Sequence, residues 1–191
     1  MMIRSARILA SFVLLFAAWT APAGAQISMR FEGNQSRVCM NSNAGFDANL
    51  ALLGPSLGFV SSFLDKRVVT FKPNGTGTVT LKSLRIGHAQ TGVGSTPASE
   101  SEVNCSFTYT LNTVTRVITT DATCNFTILT GPGAGQVGQT TDIRGEAVML
   151  VSGNVLVSQA TTPNVETVTN FTTGVVTQQI CHRTATSFRT H

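Results

Sequence analysis

The chain has 191 residues, with 13 lysines and arginines against 9 aspartates and glutamates for a formal charge of +4. Arg4 and Arg7 fall in a stretch laid out like an export signal, so the remainder balances 11 basic against 9 acidic residues. That balance is too even and too thinly spread for a nucleic-acid footprint. The single tryptophan, Trp19, lies in the same stretch, and Tyr109 is the one tyrosine, which leaves few aromatic platforms for stacking bases or sugars.

Residues 1–25 combine those two arginines with an apolar run from Ile8 to Trp19 and the small residues Ala23-Gly24-Ala25. The run is too short for a comfortable membrane span, and the small-residue pattern predicts signal cleavage before Gln26. Residues 26–191 are then expected to form one domain, exported to the periplasm or secreted, with no integral membrane segment once the signal is removed.

After the signal, Ile27 to Phe31 reads as a first edge strand, and Glu32 to Asn43 as a polar, turn-rich segment around Cys39. From Phe46 the period changes: Phe46, Leu50, Leu53, Leu57, Val60 and Leu64 recur at steps of three and four, the spacing of one helical face. Gly54-Pro55 interrupts it, so the expectation is one or two short helices, with Pro55 opening the second.

Arg67 to Leu84 reads as a β-hairpin. Val69 and Phe71 alternate with polar neighbours, Pro73-Asn74-Gly75 supplies turn chemistry, and Val79 and Leu81 resume the alternation. A Gly-, Ser-, Thr- and Pro-rich loop follows from Gly87 to Glu100. Then Val103, Cys105, Phe107, Tyr109 and Leu111 share one strand face. Val114, Ile118, Cys124, Phe126 and Ile128 continue the inward set, broken by Arg116, which is expected to stand at a rim or to be paired.

A glycine-rich connection from Gly131 to Gly138 leads to Ile143, Ala147, Met149 and Val151. A second hairpin turns at Ser152-Gly153-Asn154 into Val155 and Val157. In this reading Val148, Leu150 and Leu156 lie on the outer face and make it apolar, a surface for a covering element or a partner. Pro163-Asn164 starts a strand from Val165 to Phe171, and Val175 to Arg189 is the last.

The four cysteines, Cys39, Cys105, Cys124 and Cys181, suggest disulfides in an exported chain. The reading favours Cys105 with Cys124, facing each other across a hairpin, and Cys39 with Cys181, tying the N-terminal segment to the last strand. The first pairing depends on the turns. If Asn112-Thr113 and Asp121-Ala122 were both tight turns, an intervening strand would hold the two Cα atoms roughly 10 Å apart, beyond bridging distance.

Short turns between roughly eight to ten strands of alternating pattern predict an all-β fold, an antiparallel up-and-down β-barrel with one or two short N-terminal helices. The segments F-K-P-N-G-T-G-T-V and C-S-F-T-Y-T-L-N, a glycine loop, repeated hairpins and a closing I-C-H-R-T-A-T resemble the small secreted lipocalin-like (calycin-type) β-meander proteins of bacteria, over roughly Arg67 to Phe188. The resemblance implies a barrel that holds a small apolar ligand inside. Its interior lining would be drawn from Val69, Phe71, Val79, Leu81, Phe107 and Tyr109, with Phe126, Ile128 and Met149.

Motifs with catalytic associations lack their context. Gly54-Pro55-Ser56-Leu57-Gly58 fits G-x-S-x-G, but no alternating βα units surround it. Gly133-Ala134-Gly135-Gln136-Val137-Gly138 fits G-x-G-x-x-G, but no helix pattern follows to meet a pyrophosphate. Cys181 and His182 are neighbours on a strand and point to opposite faces, so they do not form a nucleophile and base pair. No catalytic residue, cofactor site or metal site is expected, and the chain is not read as an enzyme. The partners are a small apolar ligand or another envelope protein, with no nucleic acid. The competing function is a secreted or periplasmic interaction module, an inhibitor or assembly subunit without a small-molecule ligand.

Overall fold

A computed structural model of the protein describes residues 28–54, 59–88, 97–150, 153–159 and 163–190. The proposed export signal lies outside them. The described residues form nine strands: β1 (Met29–Ser42), β2 (Phe59–Phe71), β3 (Thr76–His88), β4 (Ser99–Leu111), β5 (Val117–Thr130), β6 (Val137–Leu150), β7 (Val155–Gln159), β8 (Val165–Asn170) and β9 (Val176–Thr190). Each pairs antiparallel with the next from β1 to β7, and β9 returns to β1 and closes the sheet.

β7 and β8 share one place in the wall, end to end between β6 and β9. β7 lies beside residues 147–150 of β6, and β8 beside residues 138–141. The result is a closed eight-strand antiparallel barrel in which one position is split between two short strands. Closure leaves no long unpaired edge.

The Arg67 to Leu84 hairpin forms as its pattern predicts. The Lys72 amide donates to the Thr76 carbonyl at 2.8 Å, and Gly75 takes a φ of +77°, which a side chain would disfavour. Residues Gly131 to Gln136 likewise make a tight β5–β6 turn, closed by the Gly135 amide donating to the Ile128 carbonyl at 2.8 Å, and Val137 and Gly138 already belong to β6.

Four local expectations are corrected. No helix occurs among the described residues between Phe46 and Leu64: Phe46 and Leu52 form an isolated bridge around a turn, and β2 begins at Phe59. Val60 and Leu64 lie on the outer face of that strand, and Leu64 is 66% exposed. A step of four is even, so it repeats along a strand face as well as along a helix. Residues 55–58, where the second helix was expected to start, are outside the described residues.

The segment from Glu32 to Asn43 is not a turn-rich connection but most of the fourteen-residue β1, which is paired on both sides and is no edge. Polar residues on its inner face hide the alternation. Arg116 and Val114 are not inward. Both sit in the β4–β5 turn, Val114 is 90% exposed, and Arg116 adopts a φ of +58°. Leu156, expected outside, is 1% exposed and faces inward opposite Met149, while Val155 and Val157 turn outward. Residues 151 and 152 lie outside the described residues, but β6 and β7 pair Leu150 with Val155, one residue off the expected register, and a one-residue slip exchanges the two faces.

One end of the barrel, which carries the β2–β3, β4–β5 and β6–β7 hairpins, is plugged. Phe31, Val69, Phe71, Phe107, Ile118 and Leu156 are buried there. Phe71 is the centre: the rings of Phe31, Phe107 and Tyr109 meet it edge-on at centroid distances of 6.0, 5.3 and 5.0 Å. Such contacts add about 0.5–1.5 kcal/mol each beyond area burial. The outer face is wet, with Glu32, Lys66, Lys82 and Glu102 exposed among rows of threonine.

Candidate functional site

Above the apolar plug lies a cavity of about 470 Å³ that reaches the opposite end of the barrel, where Phe59, Ser99, Ile128, Gln136 and Asn170 line it. That size is typical of small-molecule pockets. Its two walls differ in chemistry because the strands contribute different inward residues.

The β4–β6 wall carries an apolar cluster. Val103 and Cys105 from β4, Cys124 and Phe126 from β5 and Ile143 from β6 pack with Leu81 from β3. Of the residues expected to line the interior, Val69, Phe71, Val79, Leu81, Phe107, Phe126 and Ile128 border the cavity. Tyr109 and Met149 pack against the plug below it. The Tyr109 hydroxyl donates to the Lys72 carbonyl at 2.7 Å, which satisfies its polar end at the hairpin.

Both disulfides lie on the inner surface. Cys105 and Cys124 are direct partners across β4 and β5, with Cα atoms 3.9 Å apart. Asp121-Ala122 is strand rather than turn, so nothing intervenes between them. Cys39 and Cys181 are direct partners across β1 and β9, 4.1 Å apart. Two disulfides fit an oxidising environment.

The wall formed by β9, β1, β2 and β3 is charged. Register places Arg183, Arg37, Phe63 and Arg85 on one rung across these strands, with Ala185, Gln35, Asp65 and Ser83 on the next rung toward the plug. Arg37 turns both Nε and an Nη2 amino group onto the Asp65 carboxylate, at 2.8 and 3.1 Å. Gln35 adds a hydrogen bond to the same carboxylate at 3.0 Å. The Arg37 guanidinium also lies over the Phe63 ring, 4.1 Å from its centroid.

Arg183 pairs with Glu166 of β8, which is fully buried and also accepts from Gln179 at 2.8 Å. The opposed cations Arg37 and Arg183 are tolerated on one rung because each has its own carboxylate.

Arg67 and Arg85 have neutral partners. Arg67 Nη1 donates to Gln35 and Ser158 at 3.3 and 3.2 Å, while its buried Nε has no hydrogen-bond partner among the described residues. Burial pushes the Arg67 guanidinium down to about 10, with Asp65 opposing the shift. Arg85 donates to Ser61 at 3.1 Å and lies 5.6 and 5.8 Å from the Phe59 and Phe63 ring centroids. Burial, and then the neighbouring charge of Arg37, lower it as well.

None of these charged residues stands out in the sequence as a site. A signal exists: Asp65 and Arg67 precede Val69 in phase, and Ser83 and Arg85 follow Leu81 in phase, so one inward face carries both the apolar and the charged residues. Arg37 and Arg183 give no comparable signal, since they meet only through closure of β9 on β1. Among the described residues no group of three or more His, Cys, Asp or Glu side chains is placed to hold a metal. No family model, curated protein or solved structure matches the chain.

Proposed function

We propose that this barrel is an exported, lipocalin-like carrier that holds a small, largely apolar ligand in its interior. The observation that carries the reading is the cavity of about 470 Å³ above a packed aromatic plug, with one wall formed by Val103, Phe126 and Ile143. A barrel selected only for stability would fill such a space with side chains, because interiors favour close packing. The paired cysteines support a periplasmic or secreted setting.

Native mass spectrometry of the purified protein and titration with an uncharged, environment-sensitive dye test the reading. Saturable uptake of one dye per chain is expected, and Ala122→Trp, which adds bulk to the cavity wall, should abolish it. A chain that carries no extra mass and takes up no dye would sink the proposal.

A second reading has its own observation. Outside the plugged end, Phe188, Leu150 and Val148 are 60%, 42% and 37% exposed, and Val155 pairs with both Leu150 and Phe188 on the same face. This patch suits an interaction module, and a stable partner recovered through it but not through a Phe188→Ser variant would favour that function.

A further inference from the structure

We infer that the ligand is an amphipathic organic anion, its acidic group held by Arg67 and Arg85 and its apolar body against the β4–β6 wall; this rests on the carrier reading above. Of three guanidiniums on one wall, Arg37, Arg67 and Arg85, only Arg37 holds a carboxylate among the described residues, engaging Asp65 with two hydrogen bonds, while Arg67 and Arg85 have neutral partners. The other charged groups bordering the cavity cancel: Arg183 takes Glu166, and Arg144 and Glu146 bring one charge of each sign. Among the described residues the cavity therefore carries an excess of two positive charges.

Such an excess is costly in a partly enclosed site unless something neutralises it. Arg67 is 8% exposed, and its Nε proton has no acceptor among the described residues. Arg85 stands nearer the open end, held over Phe59 and Phe63 and, among the described residues, hydrogen-bonded to the Ser61 hydroxyl. Guanidinium groups recognise carboxylates, sulfonates and phosphates through paired N–H donors, and burial strengthens the contact. The amphipathic requirement follows from the apolar cluster of Leu81, Val103, Phe126 and Ile143, which offers no hydrogen-bonding side chain. A free inorganic anion would neutralise the arginines and leave that cluster uncovered.

The test uses the full mature chain and three probes with the same ten-carbon tail: decanoate, decanol and decyltrimethylammonium, titrated calorimetrically below their aggregation concentrations. Decanoate should bind at least about tenfold more tightly than decanol, the difference expected of hydrogen bonds to a charged group. The ammonium probe should bind most weakly. Arg85→Gln and Arg67→Gln should each remove most of the preference for decanoate while leaving decanol binding in place. Equal affinity for decanoate and decanol would overturn the inference and leave the carrier reading standing. Failure of every probe to bind would overturn the carrier reading itself. The comparison within the unaltered protein does not depend on either variant folding, and phosphate binding as tightly as decanoate would also overturn the amphipathic assignment.

Discussion

Cys39 and Cys181 are partners across β1 and β9 with Cα atoms 4.1 Å apart, so the covalent bond between them lies on the seam where the barrel closes. The two cysteines are 142 residues apart in sequence, whereas Cys105 and Cys124 are 19 apart. Loop-closure entropy in the unfolded chain grows with that separation. Replacing Cys39 and Cys181 together by serine should cost about 5 kcal/mol, and replacing Cys105 and Cys124 about 3 kcal/mol. Urea denaturation of the two double variants would check the order, and a larger loss at Cys105 and Cys124 would contradict it.

The buried Glu166 carboxylate is the counter-charge of Arg183. Glu166→Gln leaves a guanidinium unpaired in the wall and should destabilise the fold by about 3–5 kcal/mol. Combining it with Arg183→Met should recover most of the loss, because removing both members of a buried pair is far less harmful than removing one. Denaturation midpoints of the single and double variants give the answer.

Arg67 should behave in the opposite way. Its pKa is lowered to about 10, so the unfolded chain holds the proton more tightly than the folded one. The resulting penalty is fully present at neutral pH and shrinks only as pH rises through the folded value of about 10 toward the higher ordinary value of a guanidinium. Arg67→Met should therefore stabilise the ligand-free protein by about 1–4 kcal/mol at neutral pH while weakening anion binding. The gain should stay constant up to just below pH 10 and narrow above it. Paired melts of the two proteins across that range measure it.

Gly33 lies on the seam opposite Ser187, and a Cβ added there would overlap the Thr186 carbonyl oxygen. The obstacle is backbone held by the β1–β9 ladder, which has little room to yield. Gly33→Ala should cost about 1–3 kcal/mol or more, as overpacking does in a close-packed core. A thermal melt unchanged by the substitution would show that β1 and β9 lie farther apart than described.

The polar rung explains why the sequence hides its most unusual feature. Arg67 and Arg85 alternate in phase with Val69 and Leu81, and read along one strand they look like interruptions of an apolar face. They gather into a wall because β2 and β3 pair with Phe63 beside Arg85 and Arg67 beside Leu81. The expected helix between Phe46 and Leu64 fails for a related reason: a period of three and four with even members satisfies either structure until pairing partners are known.

By itself the sequence determined what is local. The two-residue alternation, the Pro73-Asn74-Gly75 turn and an even set of cysteines were enough for strands, the β2–β3 hairpin, an antiparallel barrel and the presence of disulfides, because each depends on neighbours within a few residues or on the pairing of consecutive strands; the Cys39–Cys181 bond, 142 residues apart, needed the barrel to close. Tertiary structure alone decided the register in which β9 meets β1, which face of β7 is buried, and that three arginines gather on one wall beside a single aspartate bonded by only one of them. Those outcomes depend on register between distant strands, which is set when the sheet closes and its inner residues must fit one shared volume.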